Sequence, residues 1–429
     1  MLDTGTIEAP VRRFDGIPRA AGLAAGAAAL LGAIGWVLAL GVDTDRAWRA
    51  YLFNWVYFTT LAQGGVILAC TTVITKAIWA RSTRRIALAP IAFLPIAFVL
   101  MFPIFVAGEH IFPWIEHRPP FEFKAAYLTM SFMVARNVIM MAALTVLSLL
   151  FAYWAVRPDA AVLNEGGHGR PVPFTGLLTR RWRGHEVEEV LSARRLSYLA
   201  PAVVVVWAIA FSFVAFDFIM SLEPEWFSTL FGPYVFMAGF LGAIALTSLL
   251  ALVYRRTFGL DDVITPPNIH DLGKLTFAFV VFWGYLFWAQ YIVIYYGQLP
   301  LEQSFVIHRF AEPFKWLSVT VLMMLFVAPF FLLLGVLPKK TPKFFGAVTL
   351  VILIGLWLER YLLVYPSYYH DAGVGVPFGF PELSGLLLFG GIFLLAILWF
   401  AASFPIVQLW EPLWEPELEE RPDVGVTAT

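Results

Sequence analysis

Long runs of sequence without a single Asp, Glu, Lys or Arg constrain this chain more than any other feature. A run of ~20 apolar residues crosses the ~30 Å hydrocarbon layer of a membrane as one α-helix. Seven charge-free runs are long enough: 20–42, 50–75, 86–108, 226–254, 275–301, 316–338 and 383–410. Three more are long enough but carry internal charge: 125–156 around Arg136, 196–222 around Asp217, and 344–366 around Glu359 and Arg360. The sequence therefore predicts an all-α integral membrane protein with ten transmembrane helices.

The basic residues predict how these helices are oriented. Of the 29 Lys and Arg residues, 20 fall in the two terminal segments and in the connections 2–3, 4–5, 6–7 and 8–9. The other connections hold 6, and 3 lie within helices. Cytoplasmic loops carry the excess of Lys and Arg. We therefore expect a multi-pass membrane protein, with residues 1–19 and the acidic tail 411–429 both in the cytoplasm.

The inventory of polar side chains excludes several kinds of redox protein. Iron–sulfur clusters and covalently attached haem need several cysteines, and this chain has only Cys70. None of its 7 histidines lies deep within a predicted span, so a membrane-embedded b-type haem lacks its axial ligands. No phosphate-binding Walker pattern is present. We expect no redox cofactor and no metal bound by this chain, and we assign it no catalytic residue.

A short motif occurs twice. His117-Arg118 is followed four residues later by Phe123-Lys124, and His308-Arg309 is followed at the same spacing by Phe314-Lys315. The offset is 191 residues and four helices, so the repeat is parallel. It predicts two four-helix bundles, 50–222 and 226–366, with the helices at 20–42 and 383–410 peripheral. A chance match between two similar loops is the alternative.

One sizeable polar segment interrupts the first predicted bundle. The cytoplasmic loop 157–195 carries seven arginines together with Pro and Gly residues. A solvated loop that follows the positive-inside rule explains most of this composition. The alternative is a docking surface for a cytoplasmic partner or for anionic lipid.

Charged residues inside the membrane are costly and often functional. Counting ~1.5 Å per residue from the outer surface places Arg136 ~16 Å deep, Glu359 ~10 Å and Asp217 ~6–8 Å. We expected these three to be spaced for water-bridged contact rather than for one tight pair. They form a candidate periplasmic half-path for protons, with Arg136 between the two carboxylates. Buried ion pairs that only fix helix packing are the alternative.

A second group of candidates lies near the cytoplasmic end of the seventh predicted helix. His270, Asp271 and Lys274 open this helix, and Tyr285 falls near the same face eleven residues after Lys274. These four residues form a candidate cytoplasmic half-path. Lys274 could instead simply extend its ammonium to the interface.

Two stretches of sequence resemble a known family. Residues 217–232 read Asp-Phe-Ile-Met-Ser-Leu-Glu-Pro-Glu-Trp-Phe-Ser-Thr-Leu-Phe-Gly, and residues 270–283 begin His-Asp-Leu-Gly-Lys-Leu-Thr-Phe, followed later by Ala289-Gln-Tyr, Gly297-Gln-Leu-Pro and His308-Arg. They resemble the large membrane subunits of alternative complex III, relatives of the polysulfide-reductase/NrfD family. The resemblance is to the ActF type rather than to its paralogue ActC, and it extends over nearly the whole chain.

This resemblance implies a subunit of a respiratory quinol:electron acceptor oxidoreductase in the bacterial inner membrane. It implies partners that carry haem c and iron–sulfur clusters, an ActC-like paralogue, menaquinol as substrate, and a cytochrome c or an oxidase as acceptor. A quinol site near the periplasmic face would involve Arg136, Asp217 and Glu223 here, and proton translocation is the family's second proposed role. A secondary transporter with midplane charges is the alternative function, and a purely structural anchor is a third.

Overall fold

The computed structural model describes residues 11–117, 119, 121–165, 172–370 and 375–411, and these residues form helices and connections without any strand. Ten helices are long and apolar enough to cross a membrane, which confirms the all-α membrane prediction. They are α1 Arg19–Val42, α2 Thr44–Ile74, α3 Ile78–Val106, α4 Met130–Asn164, α5 His185–Leu222, α6 Phe231–Phe258, α7 Pro266–Gly297, α8 Lys315–Leu332, α9 Pro342–Ser367 and α10 Phe380–Ser403.

Several helices extend well beyond the charge-free runs that predicted them. α2 begins six residues before position 50, because the Asp43 side chain accepts a hydrogen bond from the backbone N–H of Arg46 and caps the helix. α7 begins at Pro266, where Thr265 and Asn268 form a capping box. α4 and α5 similarly extend into the predicted loop 157–195. A charge-free run thus marks what lies in lipid, whereas capping decides where a helix ends.

Two of the ten helices are irregular. α3 is a series of short α and 3-10 segments, interrupted by Pro90, Pro95 and Pro103. α8 contains a π-helical turn at Met323–Val327. A Cβ atom on Gly284 of α7 would lie 2.5 Å from Cδ2 of Phe326 in this turn, so the wider turn fits only because glycine faces it. π-helical turns occur frequently at functional sites.

The core of the molecule lies along α2, α6 and α9, which are buried over most of their membrane windows. α4 packs on α5, and α5 packs on both α2 and α6. α1 and α10 form a close pair through small residues: a Cβ atom on Gly32 would lie 2.1 Å from the backbone nitrogen of Leu388. This pair contacts the rest of the protein mainly through α10, which packs on α2 and α3.

Because consecutive helices reverse direction, the connections lie on two faces. We call the side where α1 begins and α10 ends the terminal face, and the other side the opposite face. The opposite face carries a short helix, Pro300–Phe310, between α7 and α8. Residues 1–10 and 412–429 of the predicted tails, 166–171 of the predicted loop, and Arg118 of the repeated motif lie outside the described residues.

Candidate functional site

Arg136 of α4 and Asp217 of α5 form a direct, two-bonded ion pair. The Arg136 Nε and Nη2 atoms donate to the two carboxylate oxygens of Asp217 at 2.7 and 2.6 Å. Asn137 Nδ2 donates to the same carboxylate at 2.5 Å, and the guanidinium lies 3.7 Å from the ring centroid of Tyr127. Asp217 is fully buried. The pair joins α4 to α5, and both carboxylate oxygens are occupied by strong donors.

The expected water-bridged spacing of Arg136 and Asp217 is therefore wrong. The depth estimate measured backbone positions and ignored the length of the Arg side chain. Side chains on a helix point back toward its N-terminus, and α4 begins at the opposite face. The guanidinium of Arg136 therefore reaches several ångströms outward and meets Asp217 directly.

Glu359 and Arg360 of α9 form a second charged cluster, in which hydrogen bonding is incomplete. Glu359 Oε1 accepts a hydrogen bond of 2.8 Å from Trp283 Nε1 of α7, and Arg360 Nη2 donates at 2.8 Å to the carbonyl of Val235 in α6. As expected for neighbours ~100° apart, the two residues engage different helices. They also contact each other, since Glu359 Oε2 lies 3.1 Å from Arg360 Nη1.

That contact lacks the alignment of a hydrogen bond. Glu359 Oε2 has no donor within the part of the chain that the structure describes, and Arg360 Nε and Nη1 have no acceptor there. Both side chains are only 1% exposed. An unsatisfied buried polar group costs on the order of 1–3 kcal/mol, and more when it is charged. Unlike the Arg136–Asp217 pair, this cluster has vacant hydrogen-bonding capacity.

Glu359 borders a cavity of about 70 Å³ between α6, α7, α8, α9 and the short helix Pro300–Phe310. Its walls are mainly aromatic, and Trp226 and Phe305 stack in parallel there at 3.7 Å between ring centroids. The polar side chains in its lining include Gln290, Arg309, Ser318 and Glu359, together with Tyr234 and Tyr291. A water molecule needs ~10–15 Å³ of such space and 2–4 polar partners. The cavity therefore has room for several waters beside the carboxylate.

A third cluster separates this cavity from the opposite face. Arg309, which lines the cavity, donates to Glu223 at 2.7 Å, and Ser367 Oγ donates to the same carboxylate at 2.8 Å. His308 Nδ1 lies 3.5 Å from Glu223, and its ring stacks on His370 at 4.0 Å. Burial alone would raise the pKa of Glu223, but the Arg309 charge and the hydrogen bonds around it lower that pKa to about 2. Glu223 therefore remains ionised at physiological pH.

Glu223, His308 and His370 line a groove of about 290 Å³ on the opposite face. The Arg309–Glu223 pair forms the boundary between this groove and the cavity at Glu359, because Arg309 borders one and Glu223 the other. Within the described ranges, no three His, Cys, Asp or Glu side chains are placed to hold a metal ion.

The predicted outer half-path and quinol site are thus divided between separate clusters. Arg136 and Asp217 bind each other, whereas Glu223 binds Arg309. Glu359 binds Trp283 and Arg360, so Arg136 does not lie between Asp217 and Glu359 as expected. The sequence predicted a depth for each of these residues but could not predict which side of its helix each one occupies relative to the other helices.

The predicted cytoplasmic half-path does not lie in the protein interior. Lys274 is 58% exposed and bonds to Asp271 at 2.6 Å, near His270 at the start of α7. Tyr285 is 62% exposed. Lys274 and Tyr285 thus lie on the outward side of α7, whereas His270 and Asp271 are partly buried and Asp271 lines a pocket with Trp79 of α3. Their arrangement agrees with the simpler interpretation, in which Lys274 extends to the interface.

Three site residues are absent from the sequence-based predictions: Arg309, Trp283 and Tyr234, all of which line the cavity at Glu359. Basic residues of both motif copies bind one segment, 223–226. Lys124 Nζ donates to the carbonyls of Pro224 and Trp226 at 2.6 and 2.5 Å, and Arg309 binds Glu223. The two cations hold different positions in the motif, since Lys124 ends the first copy and Arg309 is the second residue of the other. The available signal was the presence of basic residues in both copies together with an acidic Glu-Pro-Glu segment.

Comparisons with models of known protein families and with curated proteins find no match for this chain. A functional proposal therefore depends on the clusters of charged side chains described above and on the family resemblance that the sequence of residues 217–232 and 270–309 suggests.

Proposed function

We propose that this chain is an ActF-type membrane subunit of a bacterial quinol:electron acceptor oxidoreductase. Its partners would be an ActC-like paralogue, a multi-haem cytochrome c and an iron–sulfur subunit, which carry the haem c and the clusters. The resemblance of residues 217–232 and 270–309 supports this, as do the ten membrane helices. The single cysteine, Cys70, is buried in α2 and cannot supply a cluster or a covalent haem.

We also propose three finer features of the architecture: two parallel four-helix bundles, location in the inner membrane, and both termini in the cytoplasm. The terminal face is then cytoplasmic and the opposite face periplasmic. Electrons pass through the partner subunits from menaquinol to a cytochrome c or an oxidase.

Within such a complex, the role of this chain is to accept and release protons at Glu359. The observation that supports this is the buried Glu359 carboxylate, which has one oxygen without a donor among the described residues and borders a cavity with room for several waters. A proton carrier needs an oxygen that is free to accept a proton, and Glu359 Oε2 is one. Both oxygens of Asp217 instead accept bonds from strong donors, Arg136 and Asn137. The Arg136–Asp217 pair accordingly has a structural role.

The exit for these protons is the groove on the opposite face. Protons at the cavity reach it past Arg309, which remains charged, and past Glu223, which also remains ionised. Neither residue can carry a proton by titrating. The stacked imidazoles of His308 and His370 line the groove beyond this boundary. Glu223 then serves to hold His308 at the boundary.

The test compares Glu359→Gln with Asp217→Asn in the intact complex, with quinol turnover and proton release per electron measured together. Glu359→Gln keeps the shape and the acceptor for Trp283 but cannot ionise. We expect a lower proton-to-electron ratio or slower turnover in a complex that still assembles. Asp217→Asn is the matched control and should reduce the amount of assembled complex, with a normal ratio in what remains. Normal values for both quantities in Glu359→Gln would contradict the proposal.

A secondary transporter is the competing function. The π-helical turn of α8, a helix that lines the cavity at Glu359, favours it, because transporters often bind substrate at irregular helices. Purification under mild conditions followed by mass spectrometry separates the two functions. The oxidoreductase subunit should co-purify with haem-bearing proteins, whereas a transporter should appear alone or with copies of itself.

A further inference from the structure

A pocket rich in arginine lies at the terminal-face ends of α4 and α5. Its volume is about 480 Å³, and the segment 175–183 closes it on one side. Its lining includes Glu188 and five arginines: Arg157, Arg180, Arg181, Arg183 and Arg195. With one carboxylate against five guanidinium groups, the pocket has a formal charge of +4 before any ligand binds.

Arg157 organises this pocket. It is almost fully buried, and it donates to both carboxylate oxygens of Glu188 at 2.7 and 2.9 Å. It also donates to the carbonyls of Leu178 and Arg180 at 2.8 and 3.0 Å. These bonds fix the 175–183 segment against α4 and α5 and compensate the charge of Glu188. Arg157 therefore positions the segment, and the exposed arginines 180, 181, 183 and 195 supply the binding charge.

The pocket lies at the depth where lipid headgroups meet hydrocarbon. The apolar part of α4 ends with Tyr153 and Trp154, one turn before Arg157, and aromatic residues of this kind mark membrane interfaces. On α5, Arg195 directly precedes the apolar run, and its guanidinium lies 5.7 Å from the Trp154 ring centroid. Leu177, which also lines the pocket, is 57% exposed. Apolar and cationic surfaces thus meet within one cavity.

We infer that this pocket binds the headgroup of an anionic phospholipid, whose acyl chains lie along α4 and α5. The phosphodiester supplies negative charge that balances the four clustered arginines, and arginine forms paired hydrogen bonds with phosphate oxygens. An acidic protein segment would leave the apolar surface of Tyr153, Trp154 and Leu177 without an apolar partner. A free phosphate ion would leave most of the pocket volume empty. Basic pockets between helices on the cytoplasmic side are known lipid sites. This inference does not depend on the proposed redox function.

The first test removes the binding charges without disturbing Arg157. Arg180→Gln, Arg181→Gln and Arg183→Gln are combined in the full-length chain, in the assembly with which it purifies. Arg256→Gln, Lys340→Gln and Lys343→Gln form the matched control, with the same charge loss on the same face but outside the pocket. Native mass spectrometry counts bound lipid, and titration with short-chain phosphatidylglycerol or phosphatidylcholine gives affinities.

We expect the pocket variant to bind phosphatidylglycerol on the order of a hundredfold more weakly, since each basic residue near an anionic headgroup contributes about a factor of five. The control should bind within a factor of about three of the original chain. Equal losses in both variants, or no loss in either, would overturn the inference. Inorganic phosphate that competes as well as the lipid would assign the pocket to a free anion instead.

The second measurement leaves every arginine in place and so remains informative if the first variant fails to assemble. A fluorophore is attached through Gly176→Cys, next to the pocket but outside its lining, because a Cβ atom there meets no atom within 4 Å and the native Cys70 is buried. Quenching is measured with phosphatidylglycerol and phosphatidylcholine that carry the same nitroxide close to the headgroup. Stronger quenching by phosphatidylglycerol is expected. Equal quenching by the two lipids would show that the pocket does not select an anionic lipid.

Discussion

Breaking the Arg136–Asp217 pair from one side should destabilise the protein strongly. Arg136→Met removes the cation and leaves the Asp217 carboxylate buried, with Asn137 as the remaining donor. Breaking a buried pair in this way costs about 3–5 kcal/mol. Asp217→Asn leaves the guanidinium beside a neutral amide and loses two charge-assisted bonds of 2.6 and 2.7 Å, which should cost about 2–4 kcal/mol.

The double variant distinguishes a true pair from two independent contributions. With both charges removed, no uncompensated charge remains, so the double variant should be less destabilised than the sum of the single variants by at least about 2 kcal/mol. The free energy of unfolding is measured by reversible unfolding in mixed detergent micelles, with tryptophan fluorescence as the probe. Gln63→Leu on α2, which removes one neutral bond to Ser148, is the control and should cost about 1 kcal/mol.

The result that would refute this reasoning is additivity. If each single change costs less than about 1 kcal/mol and the double variant equals their sum, the two charges do not stabilise each other. The carboxylate of Asp217 would then be solvated or already neutral. The assignment of a structural role to this pair, and of the proton-carrying role to Glu359, would have to be exchanged.

Two further predictions follow from the distribution of charge and of metal-binding side chains. Reporter fusions placed within residues 166–184 and after residue 411 should both indicate the cytoplasm, because the terminal face carries most of the Lys and Arg residues; a periplasmic signal from either would contradict the topology. The purified single chain should show no stoichiometric haem absorption, because Cys70 is its one cysteine and no histidine lies deep within a span; a full Soret band would refute this.

The contacts between helices show what the repeated motif does in the fold. Both motif copies place a cation against residues 223–226. The sequence alone could not show that Arg309 borders a cavity at Glu359, while its partner Glu223 borders a histidine-lined groove on the opposite face.

The sequence by itself determined the fold class, the number of helices long and apolar enough to cross a membrane, and the position of each charge along its helix. In hydrocarbon, a run of ~20 apolar residues satisfies its backbone hydrogen bonds by forming a helix, and each charge then has a fixed place along that helix. Only the tertiary structure decided which charges meet. Which charges come into contact depends on how each helix is rotated about its axis and on the length of the side chains. Arg136 therefore binds Asp217, whereas Glu359 binds Trp283 and borders a cavity. Neither property is contained in the spacing of residues along the chain.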